Sequence, residues 1–449
     1  MTQPPKTSPQ RGLKGYLGNS AWLMGDSLMT NFFTFVVLAF VARYLGPEEY
    51  GAYAYVFSIA QLFAVLGQMG LDGLLTRDLV ENPQDQAGVL GTAGGLRFLG
   101  YALGAVLCLI YAFAMPGHTA TELWLFASAF VFILLTPGPM ILENWFRSRL
   151  EARYSSIARM TGTLISGLLK IGMVVVGMGV VAVGFAQAAS VLFIFLVSLP
   201  LFLSRGGPSP RQWRFSSERA RGMLNESWLV FLGSIMAMIY LRTGQVMLRW
   251  WEGAEVVGIY SIAARMSEVF YFIPAALVTT FFPRLIQLKK VSDDIFNDRL
   301  QSLFALLALL AYATLIGIFL LGPFLINLAF GADYAAAVPI LMVQMLAMPF
   351  IFQRYAFSRW ILIERCVKIS VMTQGAGAVV NVLLNLILIP RYGMMGAAVA
   401  AVFSYACASY FALYFIPRTR PVFMMMTRAL FMPWKALSFV RALKSGKAG

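Results

Sequence analysis

Charge is scarce in this chain. Only 12% of its 449 residues are charged, 59% are hydrophobic, and the mean hydropathy is +0.73. A soluble domain keeps about a quarter of its residues charged, so this chain cannot cover a water-facing surface. Histidine is almost absent, with His118 alone. The three cysteines (Cys108, Cys366, Cys407) sit far apart inside apolar runs. That excludes a metal-ligand pattern and a disulfide framework, and the cysteines read as packing residues. No phosphate-binding glycine loop, zinc spacing or nucleophile elbow occurs, so ATP hydrolysis is not expected and no cofactor is called for. The first 18 residues are polar and basic (Lys6, Arg11, Lys14). No short apolar core with a small-residue cleavage site follows, so a cleaved signal peptide is not expected.

What the chain has is long apolar runs. Twelve spans are read at 19–43, 50–70, 91–114, 122–144, 157–179, 181–203, 225–249, 256–282, 301–322, 335–356, 367–389 and 394–416. Helices are required because an open strand edge in lipid leaves backbone groups unpaired, and the runs are too long for barrel strands. The net charge of +15 would suggest nucleic acid in a soluble protein. Here the cations lie at helix ends and in loops, so no nucleic-acid partner is expected. With the N-terminus in the cytoplasm, 28 of the 35 Lys and Arg fall in cytoplasmic segments and three outside (Arg43, Arg249, Arg391). The remaining four lie within spans: Arg97, Lys170, Arg242 and Arg265. That asymmetry places both termini inside. Every outer loop is short. His118 falls in one of them and reads as a solvated histidine.

The expected fold class is therefore all-α and polytopic, with about twelve transmembrane helices in two six-helix lobes. The boundaries are 1–203 for the N-terminal lobe, 204–224 for a cytoplasmic linker, 225–417 for the C-terminal lobe and 418–449 for a basic amphipathic tail on the inner leaflet. An internal repeat supports the division. Residues 46–53 read GPEEYGAY and 253–260 read GAEVVGIY, both Gly-x-Glu-x-x-Gly-x-Tyr at an offset of 207. Glycine ends one helix, and Glu48 or Glu255 sits at the start of the next, where the macrodipole favours it. A repeat after six helices keeps its orientation, so the lobes would be parallel.

The stretch VARYLGPEEYGAYAYVFSIAQLFAVLGQMGLDGLLTRDLV (41–80) and the segment RYGMMGAAVAAVFSY (391–405) carry a family resemblance. They resemble the polysaccharide-transport branch, which includes Wzx-type oligosaccharide flippases, of the multidrug/oligosaccharidyl-lipid/polysaccharide exporter superfamily. The resemblance implies two six-helix lobes around a central cavity and alternating access between them. It also implies that an undecaprenyl-pyrophosphate-linked oligosaccharide moves from the inner to the outer leaflet of the bacterial cytoplasmic membrane for surface polysaccharide biosynthesis. Membrane lipids and other polysaccharide-assembly membrane proteins are the implied partners. The chain has no room for the two further helices of the lipid II flippase branch.

Charges inside the membrane are functional candidates, because each costs about 2.5–3.5 kcal/mol at the bilayer centre. Arg242 and Arg265 lie at similar depth on consecutive helices, ~12–14 Å below the outer interface, where two guanidinium forks could clasp a pyrophosphate. The competing reading is an ion pair between Arg265 and Glu268, three residues on. Lys170 is mid-span and cannot easily snorkel, so it reads as a substrate-binding cation or as half of a structural pair with a carboxylate. Arg97 is a further candidate for binding the substrate in the cavity, with snorkelling to the nearby cytoplasmic end as the competing reading. Asp26 could pair with Arg97 or bind a coupling cation, H+ or Na+. Asp72, Arg77 and Asp78, in the first inner loop, read equally as gate or lobe contacts or as solvated charges. Two other functions compete. A cation-coupled small-molecule exporter of the same superfamily needs an acidic cavity, against the basic bias of the spans. A membrane glycosyltransferase or polymerase needs a surface carboxylate pair, for which only Glu48 and Glu49 are available. The expected chain is thus a transporter and not an enzyme.

Overall fold

The computed structural model describes residues 13–434, with side chains from residue 25 onward except Ser27. Among these residues the chain is helical, without strands. The N-terminal lobe comprises α1 (Leu13–Gln68), α2 (Asp72–Glu81), α3 (Gln86–Ala114), α4 (Ala120–Leu135), α5 (Pro137–Ser148), α6 (Ala152–Val175) and α7 (Val180–Ser204). The C-terminal lobe comprises α8 (Ser217–Trp251), α9 (Ala254–Glu268), α10 (Phe272–Val291), α11 (Asp293–Phe330), α12 (Ala337–Met345), α13 (Met348–Ile363), α14 (Val367–Ala406), α15 (Ala412–Phe415) and α16 (Arg420–Phe431).

Nine segments among the described residues are long and apolar enough to cross a membrane, and the α12–α13 pair, bent by 45°, makes a tenth. Two of the ten are double. The backbone leaves the helix inside α1 at Gly46 (φ 73°, ψ 173°) and inside α14 at Gly393 (φ 52°, ψ −134°). Split there, the described residues hold twelve spans, and these coincide with the twelve apolar runs. Asp26, before Gly46, and Asp72, after it, both reach side chains around the end of α5, through Arg159–Glu143 and Asn144 respectively. The chain has therefore returned to the level it left, and α1 is an antiparallel pair. Proline explains the breaks inside other spans: Pro137 opens α5, and Pro349 lies in the first turn of α13. It removes a backbone donor and clashes with the preceding turn.

The repeat has a structural counterpart. Gly46 and Gly253 share one left-handed, extended conformation, the latter with φ 95° and ψ −179°, which an L side chain would strain. The second glycines of the two motifs meet. A Cβ on Gly51 would lie 1.8 Å from the Ala254 carbonyl oxygen, and one on Gly258 would lie 2.0 Å from that of Pro47. Positions 47 and 254, like 51 and 258, are 207 apart, so the contact is reciprocal, as a two-fold relation between the lobes requires. The second glycine of the motif is thus there for a backbone-to-backbone crossing, which turn chemistry alone did not reveal.

The linker is docked and not slack. The helix α8 begins at Ser217, eight residues before the apolar run at 225, because the Oγ of its cap, Ser216, accepts from Arg219 N at 3.3 Å. Upstream, Arg214 N donates to the Ala87 carbonyl at 3.4 Å and Ser216 N to Thr92 Oγ1 at 3.1 Å. Gly91 admits this backbone, since a Cβ there would lie 2.5 Å from Arg214 N. Arg219 pairs with Asp85 at 2.7 Å, and that hydrogen bond holds the Asp85 carboxyl below the usual carboxylate range. The start of the expected tail is also packed. In α16, Val422, Met426 and Ala429 are buried, and Gln301 and Tyr312 of α11 donate to the Met425 and Leu430 carbonyls at 3.0 and 3.1 Å. The basic residues from Lys435 onward, with Lys6 and Arg11, lie outside the described residues.

Candidate functional site

A cavity of about 480 Å³ lies within the N-terminal lobe and reaches the lobe interface. Its walls are α1, α6 and α7, closed by α8 and α9. Three cations line it, Arg159, Lys170 and Arg265, among tyrosines (Tyr50, Tyr53), amides (Gln61, Gln187, Gln245) and hydroxyls. No carboxylate lines it among the described residues.

The cations differ in how far they are neutralised. Arg159 is fully engaged: its guanidinium reaches Asp26 at 3.0 Å and Glu143 at 3.0 Å, and Thr30 donates to the same Asp26 at 3.0 Å. Arg265 Nη1 reaches Glu268 Oε2 at 2.9 Å. Glu268 does not belong to Arg265 alone, because its Oε1 takes Arg242 Nη1 at 2.9 Å. Two guanidinium groups thus share one carboxylate and leave a net positive charge. Arg265 remains 39% exposed toward the cavity, whereas the Arg242 side chain is 9% exposed. Arg242 Nε also donates to Gln61 Oε1 at 3.2 Å. Gln61 and Glu268 are again 207 apart, so equivalent positions of the two lobes hold one arginine between them. Lys170 has no ion pair among the described residues. Its ammonium donates to the Gln187 amide oxygen, which also accepts from Tyr53 OH at 3.3 Å.

The remaining candidates lie elsewhere. Arg97 does not snorkel and does not line the cavity. It is wholly buried, with Nη2 on Asp72, and its Nε and Nη1 have no hydrogen-bond partner among the described residues. The short helix α2 folds back beneath α3 and brings the carboxylate to it. Asp26 pairs with Arg159 rather than Arg97, because the first turns of α6 lie beside the start of α1. Arg77 reaches Glu226 of the other lobe at 2.8 Å. His118 is half-buried against Phe126, within 3.0 Å of Tyr55 OH and 2.9 Å of the Ala112 carbonyl. A loop of five residues is too short to carry it into solvent.

Two arginines counted among the 28 cytoplasmic cations, Arg159 and Arg354, are interior. Arg354 is held by Ser370, Thr373 and the Ala408 carbonyl, each at 3.1 Å. Arg159 lies two turns into α6. A signal for it was present, since Arg159, Thr163, Ser166 and Lys170 recur at helical spacing and form one polar stripe, all of it on the cavity wall.

Comparisons with known proteins bear on the family and the fold. The family described as "Polysaccharide biosynthesis protein" matches residues 16–289. Two relatives from Haloferax volcanii are named as a probable flippase (25% identity, 45% of this chain, 44% of the relative's length) and a probable low-salt glycan biosynthesis flippase (22%, 83% and 77%). The first match therefore spans less than half of that relative. A protein of Shigella flexneri described as an O-antigen transporter is 21% identical over 85% of this chain and 93% of its own. Among solved structures, the lipid II flippase MurJ in an inward closed conformation superposes with a TM-score of 0.67 at 16% identity, over 93% of this chain and 92% of that one. The MATE multidrug transporter DinF-BH superposes with 0.66 at 17%, over 94% and 99%. These neighbours share the all-helical fold. The chain belongs to the polysaccharide biosynthesis protein family.

Proposed function

We propose that the chain is a flippase that moves an undecaprenyl-pyrophosphate-linked oligosaccharide from the inner to the outer leaflet of a bacterial cytoplasmic membrane by alternating access. The observation that carries this reading is the cavity's charge: Lys170 unpaired, Arg265 half-compensated, and no lining carboxylate among the described residues. A diphosphate supplies the missing countercharge, and Arg265 offers it a two-pronged donor. The tyrosines, amides and hydroxyls around it suit a glycan. Arg242 backs Arg265 through Glu268. A cation-coupled exporter is less well supported, although a MATE transporter shares the fold. The carboxylates available to a coupling H+ or Na+, Asp26 and Glu268, are both engaged by arginine.

The direct test uses cells that make the lipid-linked glycan but lack this chain. The glycan should stay shielded from a sugar-reactive reagent that cannot cross the membrane, and restoring the chain should expose it. Equal exposure in both cells refutes the proposal. Lys170→Met is expected to lower export about ten- to hundredfold, the size of one lost charge-assisted contact. Protein level should hold, because the change removes a costly cation from the membrane. Lys170→Arg should keep part of the activity. Loss of export that merely follows loss of protein would make Lys170 structural.

Both termini and the linker are proposed to be cytoplasmic. A cysteine replacing exposed Thr121 should react with an impermeant maleimide in intact cells, and one replacing exposed Glu218 should react only after lysis. The reverse pattern inverts the topology.

A further inference from the structure

A second recess lies on the outside of the N-terminal lobe. It is an apolar groove of about 290 Å³ between α3, the α4–α5 break and α7. The two recesses use opposite faces of α7: the cavity takes Val191 and Ile194, the groove Leu192 and Phe195. Beside it, Phe98, Leu99 and Leu103 of α3 and Leu196 of α7 are exposed, so the groove opens toward lipid. Gly94 and Gly138 let its walls close in, with Trp213 and Phe195 3.4 and 2.8 Å from where a Cβ would lie, and Thr136–Pro137 interrupts the helix between α4 and α5. Its volume is about ten times that of a water, but its lining offers water almost nothing to bond.

The docked linker forms its rim. Trp213 lies against Gly94, 3.4 Å from the position of a Cβ there. Its Nε1 is satisfied by the Pro208 carbonyl at 3.1 Å, which leaves the ring as an apolar wall, as interfacial tryptophans are placed. Arg211 and Arg214 flank it, both exposed, and neither forms an ion pair among the described residues. Arg214 rests on Ala87 and Gly91, about one turn of α3 from Gly94. Three carboxylates at this end are held by other arginines, Asp85 by Arg219, Glu143 by Arg147 and Arg159, and Glu151 by Arg205, and Glu218, in the first turn of α8, pairs with neither Arg211 nor Arg214 among the described residues. Two unneutralised guanidinium groups therefore border an apolar slot at the membrane surface.

We propose that the groove is a binding site for an anionic phospholipid of the linker-side leaflet, with one acyl chain in the slot and its phosphate on Arg211 and Arg214. Charge complementarity selects the headgroup, since a zwitterionic lipid brings no net charge to the rim. The site is independent of the transported substrate. Because its rim is the segment that joins the lobes, the bound lipid holds that segment against α3.

Trp213 reports directly on occupancy. The full chain would be reconstituted in phosphatidylcholine bilayers containing a low mole fraction of either brominated phosphatidylglycerol or brominated phosphatidylcholine. The Trp213 contribution is the fluorescence difference between the wild type and Trp213→Phe. Brominated phosphatidylglycerol is expected to quench it several-fold more strongly. The double variant Arg211→Gln/Arg214→Gln should erase that preference and leave the quenching of the other tryptophans unchanged. The double variant keeps Trp213, so it gives a second reading if Trp213→Phe folds poorly. Equal quenching by the two lipids would reduce the site to ordinary boundary lipid, and no quenching by either would mean a closed groove. A preference that survives in the double variant would remove the arginines from the account. Displacement by a polyprenyl phosphate but not by unlabelled phosphatidylglycerol would give the groove to the carrier lipid. Each of these four results overturns the proposal.

Discussion

Replacing Arg265 by alanine is expected to abolish glycan export while leaving the protein inserted and abundant. The reason is the division of Glu268 between two arginines. Without Arg265, Glu268 and Arg242 remain a one-to-one pair, 2.9 Å apart, so no buried charge is orphaned. The exposed, cavity-facing guanidinium is what disappears. Arg265→Lys should recover only part, because a point charge replaces a planar fork. Glu268→Ala should behave in the opposite way. It strands two cations and should lower abundance, as breaking a buried pair costs about 3–5 kcal/mol. Replacing Arg242 and Glu268 together with methionine should restore abundance, since removing both members of a buried pair is often neutral. Export assays and immunoblots on these variants decide the matter. If Arg265→Ala exports normally at normal abundance, the substrate role falls. If its export and abundance fall together, Arg265 is a structural partner of Glu268.

Gly51→Ala and Gly258→Ala should each disturb the whole molecule through a single methyl group. Each Cβ would sit 2.0 Å or less from a backbone oxygen of the other lobe, and backbone cannot rotate aside as a side chain can. Overpacking costs about 1–3 kcal/mol, enough to shift a two-state balance about 5- to 150-fold. The lobes should part at this end. Ser58 lies at the lobe interface, buried and bonded to Gln245. A cysteine in its place should resist an impermeant maleimide in the parent and react in either glycine variant. Unaltered labelling together with unaltered export would refute the close crossing. The same substitution at exposed Gly73, which has nothing within 4 Å of an added Cβ, is the control and should change neither.

Span positions were legible in the sequence because they depend on runs of about twenty apolar residues, and the bilayer imposes that length. The glycine motif was legible as a repeat, but its second glycine was not, because a close crossing leaves no mark on local chemistry. Depth was legible for Lys170, which sits far from either end of its run. It was misjudged for Arg159 and Arg354, since counting cations near run ends assigns to a loop any arginine that a helix carries inward. Partnerships were the least legible. Glu268 was visible as a neighbour of Arg265 through their three-residue spacing. Its second bond, to Arg242, depends on how α8 and α9 pack, as Asp26–Arg159 depends on α1 meeting α6.

The turns at the Gly46 end have a consequence for anything that must recognise this protein from that side. The connections there are single glycine turns at 46 and 393 and short segments at 115–119, 176–179, 252–253 and 331–336. The longest has six residues. An antibody or a phage adhesin of ordinary size covers about 20–30 residues on its target, so no one connection can serve as an epitope. A binder at this face has to assemble its footprint from several helix ends, and those ends are carried by two lobes that must move relative to one another if the chain is to transport. Antigenicity and conformation are thereby tied together: reagents selected against this face will discriminate between states of the protein.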